Sequence, residues 1–461
     1  MAQQLVKTDI CIVGGGIVGT ALAAAISSSP FASHLKVTLI EGGDLFAPAD
    51  NTPNAFSNRV SSVTPQSMRL LERLGAWDLI PNDRKKPFTQ MKVWDALGNG
   101  KLAFNAPQTH ATSCMGWIVE NSWLRKSLTE KLGSSVNVLN KSFVETIRGG
   151  EGSELVDWPI VTLKDGSQIQ TRLLVGADGA NSLVRKYAGI QSTGWDYPQK
   201  ALVATLELEG VEGNGNDVAY QRFLPDGPIA VLPLSATKSS LVWSTHPNTA
   251  AKLSKLSTKD FTSFVDIAFR NPIEDLKYFT NLIQPDGTLP STLNLQEEAA
   301  WGRSRLDTSN FNKIGSPPSN TTVPQISNVI EQSRAGFPLR FYLSERYVSD
   351  QRVALIGDAA HTIHPLAGQG LNLGLLDVGT ISKVIEEGVQ AGSDIGNIHT
   401  LQKYAAERFT PNLGMMMAVD SIGKLFRAEA EPIVWARSLG LNLVNTLPGF
   451  KDLAMKAAST I

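Results

Sequence analysis

Cysteine is nearly absent: Cys11 and Cys114 are the only two in 461 residues. Two thiols exclude a disulfide-stapled scaffold and a zinc site built on several cysteines. Cys11 lies in an apolar run and reads as an inert buried residue. An excess of one charge is also missing. Lys and Arg number 42 against 43 Asp and Glu, a formal charge of −1, so the basic footprint of a nucleic-acid binder is lacking. The sequence has too much apolar content for disorder, with 42% hydrophobic and 18% charged residues. Residues 10–35 hold no Asp, Glu, Lys or Arg and equal a membrane span in length, but Gly14, Gly15, Gly16 and Gly19 interrupt them. Asp9 before that stretch and a strand-like run after it argue against a span or a secretory signal. The sequons at Asn140 and Asn320 then carry no meaning.

What is present starts with a β-rich run, 9–13, that ends in Gly14-Gly15-Gly16. An Ala-rich helical stretch follows over 17–27, and 36–41 reads as a second strand. This βαβ pattern opens a doubly wound sheet. In Gly14-x-Gly16-x-x-Gly19 the first glycine permits a tight turn, the second lets backbone approach a pyrophosphate, and the third lets helix and strand pack closely. The helix N-terminus offers amide donors to phosphates, and Glu41 ends the next strand as an acceptor for ribose hydroxyls. The motif does not distinguish FAD from NAD.

Further along, 67–74 and 122–132 have helical spacing, while 173–176 and 353–357 read as buried parallel strands ending in glycine. Residues 201–206 and 229–234 look like strands of a different, sheet-rich domain inserted into the first. Residues 310–327, rich in Ser, Asn, Thr and Pro, read as a mobile surface insertion. The first texture returns near Arg352, and from His399 the chain is mostly helical. No internal repeat is present.

Two later motifs narrow the cofactor. Gly176-Ala177-Asp178-Gly179 follows one buried strand, and Gly357-Asp358-Ala359-Ala360-His361 follows another and runs through Pro365-Leu366-Ala367-Gly368-Gln369-Gly370-Leu371-Asn372 into a helix. With the first glycine motif this set resembles the class A flavoprotein monooxygenases of the p-hydroxybenzoate hydroxylase type. Ser57-Asn58-Arg59-Val60-Ser61-Ser62, Gly75-Ala76-Trp77-Asp78, Ile118-Val119-Glu120-Asn121, residues 221–230, residues 241–245 and His361-Thr362-Ile363-His364-Pro365 are similar to the eukaryotic coenzyme Q ring hydroxylases among them.

The resemblance implies an α/β fold: a Rossmann-like FAD-binding domain, an inserted sheet-rich substrate domain and a C-terminal helical segment. The expected division is FAD-binding parts 1–85, 108–200 and 346–398, substrate-domain strands 86–107, a substrate domain 201–345 with a mobile insertion 299–335, and helices over 399–461. FAD is the implied cofactor. Gly14, Gly16, Gly19 and Glu41 would hold its ADP half, Asp178 would lie near the pyrophosphate, and Gly357 with Asp358 would bind the ribityl chain. Arg59 reads either as a pyrophosphate or flavin contact or as a surface ion pair, and Arg125 as a phosphate contact or an ordinary helix arginine. Gly368, Gly370, Leu371 and Asn372 would aim a helix N-terminus at the flavin N1–C2=O edge, where negative charge develops on reduction.

The implied reaction inserts one atom of O2 at carbon 5 of a polyprenylated 4-hydroxybenzoate-type phenol through a flavin hydroperoxide. An FAD oxidase or dehydrogenase, or a flavin-bound scaffold, is the alternative. His364 and Pro365 are placed beside flavin or phenol, with a purely structural loop as the other reading, and Arg222 near the ring or as an ordinary strand-end arginine. No metal site is expected. The implied partners are a ferredoxin with its reductase, other ubiquinone-biosynthesis proteins and a membrane surface, on the matrix side of the mitochondrial inner membrane. No transit peptide is evident before the flavin strand. The apolar residues of 433–461, including Trp435, Leu439, Leu443, Val444, Leu447, Phe450, Leu453 and Ala457, read as a core-docking helix or a membrane-facing one.

Overall fold

A computed structural model describes residues 5–106, 113–150, 158–210, 215–308, 314–315, 317 and 323–446. The uncharged stretch near the N-terminus is divided by its glycines into strand β1 (Leu5–Val13) and helix α1 (Ile17–Ser28). Ile10 to Val13 are all buried, because β1 lies inside a sheet covered on both faces. In that sheet β1 pairs in parallel with β2 (Val37–Ile40) and β11 (Gln168–Gly176). Beyond them, β2 pairs with β8 (Val136–Leu139) and β11 with β19 (Val353–Leu355), again in parallel. Antiparallel β18 (Val348–Ser349), β9 (Val144–Arg148) and β10 (Ile160–Leu163) complete it. The long apolar α9 (Gly370–Gln390) packs between α1 and α10 (Ile398–Arg427).

The second sheet contains β5 (Gln90–Asp95), β6 (Lys101–Asn105), β12 (Ser192–Glu209), β13 (Val218–Leu224), β14 (Gly227–Pro233), β15 (Lys238–Thr245), β16 (Gln325–Val329), β17 (Ala335–Ser344) and β20 (His361–Thr362). Its order is β20-β17-β12-β15-β14-β13-β5-β6, with β16 also on β12. Strands β3 (Val60–Val63), β4 (Lys85–Phe88) and β7 (Gly116–Glu120) form a small third sheet. Helices α2 (Pro65–Arg73), α3 (Asn121–Thr129) and α4 (Leu183–Tyr187) lie along the first half of the chain. This is the mixed α/β architecture expected from the motifs.

The second sheet has two differently used faces. Leu202, Ala204, Leu206, Tyr220 and Leu224 bury themselves with Phe261, Phe264 and Phe269. Those aromatics belong to α6 (Thr258–Arg270), one of four helices with α5 (Pro247–Leu253), α7 (Ile273–Leu282) and α8 (Leu295–Thr308) that the sequence reading passed over. The alternate residues Ala201 and Phe223 face the other way, toward loops of the first sheet and α10.

The expected loose insertion is corrected at both ends. Residues up to Thr308 continue α8, and β16 pairs antiparallel with β12, burying Ile326 and Val329. Residues 309–313, 316 and 318–322 lie outside the described residues. At the C-terminus α11 (Glu431–Thr446) docks Leu441 and Val444 near β6 while Trp435, Leu439 and Leu443 stay exposed. Leu447, Phe450, Leu453 and Ala457 fall beyond the described chain.

Candidate active site

The glycines of the first motif separate by what surrounds them. Gly14 has φ +106°, and a Cβ there would stand 2.3 Å from the Ala177 carbonyl oxygen. At Gly19 a Cβ would meet the Gly14 oxygen at 1.9 Å. These two are required by the protein's own packing. A Cβ at Gly16 would meet nothing within 4 Å, so the space above this turn is left for a ligand. Glu41 closes the turn, its Oε2 accepting the Gly15 N–H at 2.7 Å.

Around this cradle stand polar groups with unused capacity. Asp178 Oδ2 accepts the amides of Leu183 (2.7 Å) and Val184 (3.3 Å), but buried Oδ1 has no partner among the described residues. Burial pushes the Asp178 carboxyl up against those hydrogen bonds. Gly357 at the end of β19 has φ +57° and turns the chain so that Asp358 is open to solvent. Protein nevertheless surrounds that carboxyl densely enough to push it up, as expected of a group in a cleft. The guanidinium groups of exposed Arg59 and half-buried Arg125 make no hydrogen bond or ion pair among the described residues, and Arg125 Nε is fully enclosed. Arg59 and Arg125 are held at one end of the β3–β7 pair, where the Asn121 amide donates to the Arg59 carbonyl. A cradle that a side chain would fill, an orphaned buried oxygen and two free cations fit a dinucleotide.

The loop before α9 forms the next wall. Gly368 has φ +62°, and a Cβ would press on Ser62 Cβ at 3.1 Å. Gln369 provides no side-chain cap, so the amides of Gly370, Leu371 and Asn372 at the helix start lack intrahelical acceptors. The Asn372 side chain is used within the protein. It is wholly buried, donating to Ser62 (2.8 Å) and Gly368 (3.0 Å) carbonyls and accepting the Thr64 amide (3.0 Å). Asn372 therefore ties β3 to the loop, and only its backbone N–H remains for a ligand.

Beside this loop, between the second sheet and the last two turns of α10, lies a narrow pocket, partly open to solvent and with little free internal space. Phe223 and Phe426 stack across it, centroids 3.8 Å apart, and Tyr197 meets His364 edge to face at 5.0 Å. His364 Nδ1 accepts the Leu366 amide at 3.0 Å, which puts the proton of the neutral ring on Nε2. Nε2 has no partner among the described residues, and His364 lines the pocket. Burial, then the nearby Arg427 charge, lowers His364 to about 4, so the ring is neutral at physiological pH. Pro365 follows as the first residue of a short turn, its fixed φ suited to that position.

Arg222 is corrected. It shares a face with Tyr220 and Leu224, under α6, where it is 1% exposed and donates to the Ala268 carbonyl at 2.9 Å. Its neighbour Phe223 is the pocket residue, because successive residues of a strand point to opposite faces.

Sequence reasoning missed three groups. Tyr197, whose hydroxyl donates to Asp420 at 2.8 Å, and Arg427 complete the pocket. Glu120, 1% exposed, accepts the Ser57 amide (2.7 Å) and pairs with Arg84 (3.2 Å), fixing the segment that carries Arg59. Asp377 sits fully buried within α9 beside His361. A lone carboxylate in an apolar helix, Leu375-Leu376-Asp377-Val378, was a signal available in the sequence. Among the described residues no group of His, Cys, Asp and Glu could hold a metal ion. Cys11 is buried, which pushes its thiol up to about 12.

The FAD binding domain family matches residues 7–271 and 318–410. The chain is 41% identical to Ubiquinone biosynthesis monooxygenase COQ6, mitochondrial, of Xenopus tropicalis, over 98% of this chain and 93% of that protein. The protein of the same name from Homo sapiens is 38% identical over 98% and 92% of the two chains. The chain belongs to the COQ6 monooxygenase family. It is accordingly an FAD-dependent monooxygenase, and the cleft lined by Gly16, Asp178 and Asp358 matches that cofactor in chemistry. Among solved structures, p-nitrophenol 4-monooxygenase PnpA of Pseudomonas putida shares the fold at TM-score 0.66 and 15% identity, covering 99% of each chain. Pseudomonas aeruginosa PqsL in complex with 2-aminobenzoylacetate does so at TM-score 0.65 and 20% identity, over 95% of this chain and 99% of that one.

Proposed function

We propose that this chain hydroxylates carbon 5 of a polyprenylated 4-hydroxybenzoate-type ring in ubiquinone biosynthesis. One oxygen atom of O2 enters the ring, the other leaves as water, and an external donor supplies two electrons. Bound FAD supplies the activation of O2, which no side chain here can provide. The observation that carries the reading is His364: a neutral ring whose Nε2–H is its unpaired polar end, in a pocket it shares with apolar Phe223, Phe426 and Val419 and with polar Gln199, Asp420 and Arg427. The His364 Nε2–H and the Arg427 side chain can orient a phenol oxygen, and Phe223 and Phe426 set the shape offered to the ring. Pro365 and the free amides at the start of α9 would border the same ring and the flavin edge. Gly14, Gly16, Gly19, Glu41, Asp178, Gly357 and Asp358 would hold the cofactor, with Arg59 and Arg125 on its phosphates; Arg222 is left out.

The family's proteins are named mitochondrial, and among the described residues no helix is long and apolar enough to cross a membrane. A peripheral position on the matrix side of the inner membrane, other ubiquinone-biosynthesis proteins as neighbours and a ferredoxin with its reductase as donor follow from the resemblance. The test is turnover under ¹⁸O2 on rings with and without a polyprenyl tail, with product mass and NMR position. One labelled oxygen at carbon 5, and better turnover of the tailed ring, are the expected results. Unlabelled product, or oxygen on the tail, contradicts the reading.

A further inference from the structure

Below the cofactor cleft is a buried polar cluster that the proposed chemistry does not use. Asp377 is completely enclosed, and its carboxylate meets four donors. Oδ2 accepts the Gly357 amide at 3.0 Å and faces His361 Nε2 at 2.6 Å. Oδ1 accepts Arg408 Nε at 3.1 Å and Asn412 Nδ2 at 3.1 Å. Burial alone would push this carboxyl up, but His361, Arg408 and Asn412 outweigh it and hold Asp377 below the usual range. His361 Nδ1 is buried without a partner.

The positions of the partners give the cluster its use. Gly357 and His361 are the two ends of the segment that carries Asp358, and Asp377 belongs to α9, whose N-terminus ends the loop that follows. Arg408 and Asn412 add α10, and the Tyr404 hydroxyl donates to Leu355 at the end of β19 at 2.8 Å. One anion thus fixes both ends of the Gly-Asp turn to the helix that faces the same cleft. The Asp358 side chain takes no hydrogen bond from any residue among those described, so its direction depends on the backbone that carries it. We propose that Asp377, acting through the Gly357 amide and the His361 ring, is the positioning residue that holds Asp358 in register for FAD. The inference rests on the assignment of the Gly-Asp turn to the cofactor.

The test is the dissociation constant of FAD for the apoprotein, read by quenching of flavin fluorescence, with the melting temperature of the apoprotein measured beside it. Asp377→Asn puts an amide NH2 among four donors and is expected to weaken FAD about tenfold or more. His361→Leu fills the same volume without the N–H and is expected to do likewise. His361→Gln restores an N–H near the Nε2 position and is expected to stay within about threefold of wild type. A core-filling role predicts the opposite order, because Leu is the better apolar filler. Equal constants for the Gln and Leu variants, or wild-type affinity in Asp377→Asn, overturn the inference; should Asp377→Asn not fold, the His361 pair decides. Gly16→Val serves as the control. If it also binds FAD normally, the cofactor assignment fails; if it alone loses FAD, only the role of Asp377 fails.

Discussion

At the scale of single residues, the two consequences tested most directly are space and charge. Gly16 is the glycine of its motif whose Cβ would enter empty space, so Gly16→Val should fold and yet exclude the pyrophosphate. The expected outcome is a soluble protein purified without its yellow chromophore, checked by the visible absorbance spectrum; Asp358→Ala should lose most of its flavin in the same assay. His364 gives a pH signature. An unfolded histidine takes up its proton near 6.5, whereas in the fold His364 does so only at about 4. The unfolded state therefore binds more protons between those values, and stability falls as pH drops from 6.5 to 4. The loss from this group is on the order of 3 kcal/mol. His364→Asn keeps an acceptor for the Leu366 amide but cannot titrate. Urea midpoints at pH 7 and pH 4 should fall less in that variant than in wild type, and parallel losses would contradict the account.

At the scale of elements, the pocket wall on α10 depends on a clamp from α11. Arg437 pairs with Asp95 of β5 through Nε (2.6 Å) and Nη2 (3.0 Å), with both side chains 1% exposed. Its Nη1 also donates to the carbonyls of Leu425 (2.9 Å) and Ala428 (2.6 Å) at the end of α10. Those bonds satisfy carbonyls that a helix end leaves without partners, and they set Phe426, which lies between them, against Phe223. Arg437→Ala leaves the Asp95 carboxylate buried and unpaired and is expected to cost about 3–5 kcal/mol in urea unfolding. Removing both charges, as in Asp95→Leu with Arg437→Leu, should recover much of that loss, since apolar replacement of a buried pair is often neutral.

At the scale of the whole molecule, the set of nucleotide-binding elements bears on electron supply. One glycine-rich βαβ turn is present, on β1 and α1, and no second one appears among the described residues. NADPH can bind at a surface cleft without such a fold, so the expectation rests on the ferredoxin donor proposed above. NADPH alone is therefore expected to reduce the bound flavin far more slowly than turnover. Stopped-flow reduction by NADPH at the turnover rate would contradict this, and ferredoxin with its reductase should sustain the reaction.

The sequence by itself determined the glycine-rich turns and the kind of cofactor they suit. Gly14, Gly16, Gly19, Asp178, Gly357 and Asp358, proposed to hold that cofactor, are legible locally, because they lie at or just past the ends of β-rich runs where backbone geometry and open space depend on immediate neighbours. The substrate side was legible only in part. His364 and Pro365, proposed to border the ring, lie in a motif, whereas the sequence leaves Arg222 open between the ring and an ordinary strand position, because two adjacent strand residues differ in outlook and no local feature says which side is covered. The helix layer that covers it, α5 to α8, decides that, and so places Phe223 rather than Arg222 in the pocket. Tyr197, Asp420, Arg427 and the Asp377 cluster come together across separations of up to a few hundred residues, through contacts whose partners lie on different elements. A local pattern carries the chain's own conformational preferences; the partner of a buried charge, and the face a strand turns to the site, follow only from what packs against it.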